Sequence, residues 1–377
     1  MIIISKSDPL IKMCISDLNR IEGTALQQLS KAGTLPGMKV VVGMPDLHPG
    51  KGGPVGAAFI TQNMLYPFLI GSDIGCGMNL WQTGLRKNKI KRDKWAGRLT
   101  GFEEPWDGDT TEWLERHALK PTLFDIALGT IGGGNHFAEL QMVEKVYDAD
   151  ELNRCGLDKN RLTLLVHSGS RGFGASLLRK HTERFGAGGM QDDSDEARTY
   201  IKHHDEAVRW AKANRELIAH RFMTCLGTKG KYILNCIHNS ITKTGQEPKG
   251  RWLHRKGVSP SDQGVVIIPG TRGTLTYLAI PTGDQDGAAW SLAHGAGRKW
   301  NRKSVRGRLK TKYSAKSLSK TQLGGLVICE DKELLYQEAP QAYKKIDDVI
   351  GEMVADGLIR LIASFRPVIT YKVRKTK

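Results

Sequence analysis

Five residues of types that bind metal ions lie in or beside short, mostly glycine-rich segments of the chain. Asp73 and Cys76 are three residues apart in GSDIGCGM, His136 closes GGGNH, His167 opens HSGSRG, and His238 ends KYILNCIH. A carboxylate, a thiolate and neutral imidazoles can share one ion. Cysteine and histidine favour zinc, whereas the added aspartate leaves manganese or iron open. The alternative is that each histidine only forms hydrogen bonds as part of the scaffold.

His294 is a candidate nucleophile. It lies in SLAHGAGR, where Gly295, Ala296 and Gly297 remove bulk beside the imidazole and Arg298 adds a fixed cation. An imidazole nitrogen in such a setting can attack an α-phosphate and form a phosphoramidate. A role as a general acid, or a purely structural role, is the alternative. The segments PDLHPGKGGPVG and GTIGGGNH lack the Lys-Ser or Lys-Thr ending of a P-loop, so a P-loop NTPase is disfavoured.

The elements that must position these residues are predicted to be strands that end in glycine-rich loops. RLTLLVHSGSRG and GVVIIPGTRG each pass from an apolar, β-branched stretch into such a loop. We therefore expect a site built on loops over a sheet. Apolar residues at helical spacing predict a long helix over about 195–223 and a second helix within 343–364.

The charge balance favours a polyanionic partner. The 377 residues include 56 Lys and Arg against 39 Asp and Glu, with a formal net charge of +17, which makes nucleic acid the leading candidate. The six cysteines form no CxxC pair, which argues against a disulfide framework or a zinc knuckle. No apolar run reaches the roughly 18 to 20 residues of a membrane span, and the N-terminus lacks the apolar stretch of a signal peptide. A cytoplasmic protein without a membrane partner is expected.

One segment is unusually basic. Arg298 to Lys312 holds eight Lys or Arg among fifteen residues, and no Asp or Glu follows until Glu330. A run of this kind is either a solvated surface loop or a contact for phosphates. We favour the second interpretation and expect Arg306, Arg308 and Lys310 to line a nucleic-acid path.

Ten motifs together resemble the RtcB ligase family in order and spacing. They are PDLHPGKGGPVG, GSDIGCGM, GGGNHFAEL, HSGSRG, ANRELI, HNS, HRKG, PGTRGT, AHGAGR and EAPQAYKKIDDVI. The resemblance runs from about Met38 to Lys372, and the short chain is similar to the compact branch of the family. It implies a mixed α/β (α+β) fold with central sheets and a deep metal-containing cleft, formed by residues 1–377 as one domain.

The resemblance also implies cofactors and the residues that bind them. The family site holds two Mn²⁺ ions. By matching motif, Cys76 bridges both ions, His136 completes the first, and Asp73, His167 and His238 hold the second. A separate match places the family's guanylated histidine, the GMP carrier, at position 294.

Further positions match residues that bind GTP and RNA in the family. The GTP-binding positions are His294 together with Asn135, Glu139, Tyr343 and Lys372. Arg171 and Arg298 fall where the family holds RNA phosphates, a role that suits the guanidinium group. The chain departs from the family pattern Pro-Gly-Ser-Met-Gly, which is PGTRGT here and puts Arg272 near the nucleotide, and in the residues after Lys372.

The activity implied is GTP- and Mn²⁺-dependent joining of an RNA 3′-phosphate or 2′,3′-cyclic phosphate end to a 5′-hydroxyl end, in RNA repair or tRNA splicing. Whether a helper protein takes part is left open. Two alternatives remain at this stage: an RNA-binding protein with reduced catalysis, and a metal-dependent cyclic phosphodiesterase that stops at ring opening.

Overall fold

The computed structural model describes residues 1–244 and 250–375, and strands and helices take nearly equal shares of them. The strands of the first half of the chain are β1 Ile2–Ser5, β2 Leu10–Met13, β3 Met38–His48, β4 Val55–Gln62, β5 Met64–Leu65, β6 Gly77–Arg86, β7 Phe137–Val146, β8 Arg161–Ser168 and β9 Met190–Gln191. Those of the second half are β10 Gly230–Ile237, β11 Asn239–Lys243, β12 Arg251–Lys256, β13 Val258–Pro260, β14 Val266–Pro269, β15 Thr276–Pro281, β16 Ser291–Ala293, β17 Leu326–Cys329 and β18 Ile359–Val373.

The helices pack around these strands, so the fold is mixed α/β, as predicted. They are α1 Gly23–Gly33, α2 Pro67–Ile70, α3 Arg92–Arg98, α4 Thr110–Glu115, α5 Ala149–Arg154, α6 Gly172–Phe185, α7 Asp195–Cys225, α8 Arg302–Leu309, α9 Ala315–Leu318, α10 Lys332–Gln337 and α11 Ile346–Ala355. The long helix predicted over 195–223 is α7, which begins where the Ser194 hydroxyl accepts a hydrogen bond from the Ala197 amide. None of the described helices combines the length and apolarity needed to cross a membrane.

The second predicted helix is wrong over its C-terminal half. Helix α11 ends at Ala355, Gly357 adopts a φ of +69°, and the chain then continues as β18. The segment IRLIASF is rich in residues that suit strands, and it pairs with β7 on one side and β15 on the other. Sheet pairing therefore decided a segment whose apolar residues also fit a helix.

Two large sheets build the core. The first has the order β1-β2-β3-β4-β12-β11, and the second β10-β6-β8-β7-β18-β15-β14, with β17 parallel to β18. Successive residues of a strand point to opposite faces, so in β8 Leu164 belongs to the buried cluster that contains Phe222 of α7, and Leu165 to the one that contains Ile60 of the first sheet. The second sheet is thus buried on both faces, between α7 and the first sheet.

Strand register brings the candidate metal ligands to one edge of the second sheet. Gly77 at the start of β6 lies opposite Ser168 at the end of β8 and Ile237 at the end of β10. Phe137 at the start of β7 lies opposite His167. Antiparallel pairing therefore requires the residues just before β6 and β7, and those at the ends of β8 and β10, to meet in space.

A buried arginine from α7 ties these strand ends together. The Arg215 guanidinium is fully buried and donates to the Asn79 and Asn235 side chains, on β6 and β10, at 2.8 Å each. It also donates to the carbonyls of Gly75, at 2.7 Å, and Ser168, at 2.8 Å. Burial lowers the pKa of Arg215 to about 10, so the group remains charged at neutral pH. One side chain thus satisfies acceptors on four segments that approach the site.

We expect Arg215→Met to lower the free energy of unfolding by at least about 3 kcal/mol, because it leaves several buried acceptors without a donor. Urea titration followed by circular dichroism measures this change. Arg209→Met, at an exposed position on the same helix, is the matched control and should change stability by less than about 0.5 kcal/mol. Equal losses in the two variants would contradict the structural role of Arg215.

Candidate metal centre and nucleotide site

A thiol and two imidazoles form a buried cluster at the sheet edge. The Cys76 Sγ atom lies 3.4 Å from His136 Nε2 and 3.2 Å from His167 Nε2, and the three ligand atoms lie within 4.8 Å of one another. His238 joins them, with its Nε2 atom 3.3 Å from His167 Nε2. Asp73 adds an oxygen 2.8 Å from His136 Nε2. All five residues named from the sequence as candidate ligands are therefore brought together.

The outer nitrogens of two imidazoles fix which atoms face the cluster. His136 Nδ1 lies 3.2 Å from the Ile131 carbonyl, and His167 Nδ1 lies 3.2 Å from the Asn135 carbonyl. A carbonyl only accepts hydrogen bonds, so each Nδ1 carries a proton and Nε2 is the ring atom that can turn a lone pair toward a metal ion. His136 Nε2 then faces a carboxylate oxygen of Asp73. Acceptors this close to one another need a cation between them, either a proton or a metal ion.

Burial makes protonation the less favourable choice. Desolvation holds the pKa of His167 and of His238 well below the ordinary value, and the neighbouring imidazoles lower both further. Burial also raises the pKa of the Cys76 thiol well above its ordinary value, with the nearby Asp73 charge adding to the effect. A divalent cation reverses that preference, because thiolate and neutral imidazole are the forms that coordinate it. The donor set fits a metal centre.

Glycine at position 169 allows the approach of Asp73. A Cβ atom there would lie 2.0 Å from the Asp73 carboxylate, so only glycine leaves room for it. Desolvation alone would raise the pKa of Asp73, but the charge and hydrogen bond of His136, with smaller contributions from Cys76 and Arg171, hold it below the ordinary value. Asp73 is thus ionised and partly exposed to the cavity.

His294 adjoins the cluster and has its own buried partner. Its ring centroid lies 4.8 Å from that of His238, and its Nδ1 atom lies 2.8 Å from Asp46 Oδ2. Asp46 is fully buried in β3 and also accepts from the His294 amide at 3.3 Å. Gly297 has a φ of +69°, and a Cβ atom there would lie 2.2 Å from the Asp46 carbonyl, so the HGAG turn packs directly on β3.

The Asp46 contact assigns the tautomer of His294. A carboxylate accepts, so the Nδ1 atom of His294 carries the proton and the Nε2 atom keeps its lone pair. A histidine held in this way is poised to act as a nucleophile through Nε2. The sequence analysis missed Asp46, although it stands two residues before His48 in the quoted motif PDLHPG.

A cavity of about 370 Å³ opens onto the cluster and His294. Most of the predicted metal and nucleotide residues line it. They are Asp73, Cys76, Asn135, Glu139, His167, His238, His294, Tyr343 and Lys372. His136 lies behind this surface, in contact with Cys76. The predicted GTP-binding residues and the metal cluster therefore share one cavity.

A network of charged groups forms one wall of the cavity. Buried Glu338 lies 3.2 Å from an Arg298 nitrogen and 3.8 Å from Lys372 Nζ, and it accepts a hydrogen bond from the Tyr343 hydroxyl. Burial alone would raise the pKa of Glu338, but Lys372, Arg302 and Arg298 hold it below the ordinary value. Burial lowers the pKa of Lys372 to about 8. Glu338 was not singled out from the sequence, although it opens the quoted motif EAPQAY.

Glu139 lies beside this network. It accepts hydrogen bonds from Thr370 and from the Gln141 amide group, the latter at 2.7 Å, and burial raises its pKa to about 7. Lys372 donates to the Gly134 carbonyl at 2.8 Å, next to Asn135. Residues more than 200 positions apart in the sequence thus meet in the cavity.

The arginines named from the sequence occupy different settings. Arg298 turns inward, with its guanidinium 4.9 Å from the Tyr343 ring centroid and its side chain only 13% exposed. Arg171 does not line the cavity but packs against Gly132. Arg272 is buried in the wall, where it donates to the Leu335 carbonyl at 2.8 Å.

The basic run does not form a loop. Its central part is helix α8, whose Val305 and Leu309, four residues apart, are buried. Arg306 and Arg308 are exposed, the first paired with Glu333 at 2.7 Å and the second 5.2 Å from the Trp300 ring centroid. Lys310 follows the helix and is exposed.

Comparison with known proteins identifies relatives of this chain. The model of the family described as "tRNA-splicing ligase RtcB" matches residues 28–102 and 124–373. An RNA-splicing ligase RtcB2 of Escherichia coli strain ATCC 25922 is 46% identical over 369 residues, which cover 97% of this chain and 96% of that protein.

More distant relatives match over nearly the same part of the chain. A tRNA-splicing ligase RtcB of Nanoarchaeum equitans is 28% identical over 97% of this chain and 94% of its own length. An RNA-splicing ligase RtcB of Escherichia coli K12 is 26% identical over 93% of this chain and 95% of its own. Because the family model matches most of the chain and the RtcB2 relative is 46% identical over 97% of it, the chain belongs to the RtcB family of RNA ligases.

Proposed function

We propose that this enzyme is a GTP- and Mn²⁺-dependent ligase that joins RNA ends bearing a 3′-phosphate or a 2′,3′-cyclic phosphate to ends bearing a 5′-hydroxyl. One observation carries the proposal: His294, with its Nε2 lone pair free, shares a cavity with a cluster of metal-binding side chains. A phosphodiesterase that only opens the cyclic phosphate has no need of such a nucleophile. The Asp46–His294 pair therefore favours ligation.

Two manganese ions would be held by the cluster. Cys76 would bridge them, His136 would complete one site, and Asp73, His167 and His238 would complete the other. The ions supply neutralisation of phosphate charge and of charge that develops on attacking and leaving oxygens. The Asn135 and Ile131 carbonyls orient the imidazoles from behind.

His294 would carry the nucleotide. Its Nε2 atom attacks the α-phosphorus of GTP, a nitrogen–phosphorus bond forms, and the bond to the leaving pyrophosphate breaks. The Nδ1 proton stays on the ring and keeps its hydrogen bond to Asp46, so the buried carboxylate stabilises the positive charge that develops on the imidazole.

The RNA would then react in two further transfers. An oxygen of the 3′-phosphate attacks the phosphorus of the GMP group and displaces His294. The 5′-hydroxyl next attacks the RNA phosphate, loses its proton, and displaces GMP to leave a phosphodiester. A cyclic phosphate first adds water and opens to the 3′-phosphate.

Guanine recognition would come from the charged wall of the cavity. Glu139 and Tyr343 offer polar groups to the base, Lys372 is a donor beside them, and Asn135 contacts the nucleotide. Hydrogen bonds to Glu338, Gly134 and Gln141 hold Tyr343, Lys372 and Glu139, respectively, in place before the nucleotide enters, which reduces the ordering required on binding. Arg272 adds a buried cation to this wall that the family pattern does not have.

The RNA would approach along exposed cations outside the cavity. Arg306, Arg308 and Lys310 are placed for this on and after α8, whereas Arg171, which is partly buried, would act near Asp73. Arg298, held by Glu338 and Tyr343, would act at the cavity wall. RNA repair or tRNA splicing in the cytoplasm is the proposed setting, and the domain responsible is the whole chain.

Incubation with GTP and Mn²⁺ should label the protein with one GMP on His294, because this is the free nucleophile nearest the metal cluster. Intact-mass and peptide mass spectrometry detect the adduct. His294→Ala should not be labelled, and ATP should label the parent protein poorly. An adduct that persists in His294→Ala would rule out this carrier.

The Asp46→Asn variant is the sharper companion to that experiment. An amide can donate to Nδ1 and turn the lone pair away from the nucleotide, so the rate of labelling should fall by at least about 100-fold. Metal content should stay at the parent level, since the Asp46 carboxylate is hydrogen-bonded to His294 and not to the five candidate metal ligands. Labelling at the parent rate would contradict the role of Asp46.

Cys76→Ser should lose metal more completely than any single histidine variant, because a bridging thiolate serves two ions and each imidazole one. The test is the amount of manganese bound per chain after dialysis, measured by inductively coupled plasma mass spectrometry in Cys76→Ser, His136→Ala and His238→Ala. Cys236→Ser, at a buried thiol outside the cluster, is the matched control and should retain the parent content. Equal retention in Cys76→Ser and Cys236→Ser would refute the bridge.

A further inference from the structure

Two stretches far apart in the sequence hold most of the protein's excess positive charge. Residues 86–98 contain seven Lys or Arg and a single acid, Asp93. Residues 302–320 contain eight Lys or Arg and no acid. All fifteen of these basic side chains are on exposed residues. The two stretches together account for most of the formal net charge of +17.

The fold brings the two stretches to one cavity, separate from the one that contains His294. Its volume is about 560 Å³, and its basic lining comes from Lys91, Arg92 and Lys94 on one side and Lys320 on the other. The parallel pairing of β17 with β18 and a bridge between Lys320 and Leu326 hold the second stretch in place. More than 200 residues of sequence separate the two sides.

The first stretch is fixed to the same strand that enters the nucleotide cavity. Arg374, immediately after β18, donates to the Ala96 carbonyl at 2.8 Å and the Leu99 carbonyl at 2.9 Å, at the C-terminal end of α3. Lys372, two residues earlier, lines the nucleotide cavity, as does Arg302 at the start of α8. The basic surface is therefore connected to the reaction site through β18 and through α8.

The charges on this surface are largely unneutralised within the protein. Among the described residues, none of Lys91, Arg92, Lys94 and Lys320 forms an ion pair. Cations crowded in this way repel one another, so their arrangement favours an external polyanion. The large exposed apolar side chains of the described residues lie elsewhere, for example Leu123 and Ile126, so neither stretch has the apolar anchor of a membrane-binding segment.

We propose that residues 86–98, with Lys320 and the exposed face of α8, bind the phosphate backbone of the substrate RNA at a distance from the ends being joined. This inference rests on the proposed RNA ligation and extends it to the body of the RNA. Backbone contacts of this kind bind RNA irrespective of its sequence. Helix α8 alone spans about 12 Å, so an RNA that consists of little more than its reactive ends cannot cover the surface.

The test is a triple variant, Lys91→Gln, Arg92→Gln and Lys94→Gln. Each phosphate contact on a single strand contributes about 0.7 to the slope of log affinity against log salt, so the slope for an RNA of about 40 nucleotides should fall by up to about 2. Binding of an RNA of about six nucleotides with the same 3′ end should change little. GMP labelling should remain at the parent rate, because none of the three residues lines the nucleotide cavity.

The matched control replaces three equally exposed lysines elsewhere, Lys31→Gln, Lys180→Gln and Lys202→Gln, and removes the same charge. If both triple variants lower the slope equally, net charge alone is responsible and the proposed RNA-binding surface is wrong. An unchanged slope in the first triple variant overturns the proposal too. So does a loss of binding that is seen with vesicles of anionic lipid but not with RNA. Failure of the parent to be labelled by GMP would refute the proposed chemistry, and the difference in slope between the two triple variants would still decide the surface.

Discussion

The site depends on one buried cation, the Arg215 guanidinium, and on the strand ends that it holds together. Four acceptors converge on it, from the turn before β6, from β6 itself, and from β8 and β10. Two of the candidate ligands are next to those acceptors in sequence: Cys76 follows Gly75, and His167 precedes Ser168. A change in the relative positions of these strand ends would move the ligands apart. The geometry of the cluster therefore depends on the packing of α7 against the strands.

The cluster itself places lone pairs in close mutual contact inside a poorly solvated edge of the sheet. Desolvation disfavours charged imidazoles at His167 and His238 and a free thiolate at Cys76. Such groups are stabilised together only by a cation that accepts their electron pairs. The cluster opens onto a cavity through which a cation can enter. His294 lines the same cavity, so a cation held by the cluster would lie close to it.

The proximity of the candidate site residues was predictable because they come from short motifs with unusual composition. All five candidate ligands, His294, and the predicted nucleotide residues lie together, and Gly169 and Gly297 allow close approach of the Asp73 side chain and the Asp46 backbone, respectively. The mixed α/β class and helix α7 were also predictable, since strand endings and helical periodicity are local signals.

The remaining features depend on contacts between distant segments. Asp46 and Glu338 act through partners about 250 and 40 residues away, His294 and Arg298, and their own neighbours in sequence do not reveal them. The strand β18 was predicted in part as helix because its apolar residues fit both periods, and sheet pairing made the choice. Helix α8 was not predicted, because two apolar residues, Val305 and Leu309, are too few to show helical periodicity among the surrounding basic residues.

The fate of the phosphate at an RNA 3′ end tests the central claim most directly. An RNA carrying a radioactive 3′-phosphate is incubated with a second RNA that has a 5′-hydroxyl, together with the protein, GTP and Mn²⁺. We expect the label to become an internal phosphodiester, resistant to phosphatase and present in a product of the summed length. Release of the label as inorganic phosphate, or joining only when the second RNA carries a 5′-phosphate, would contradict it.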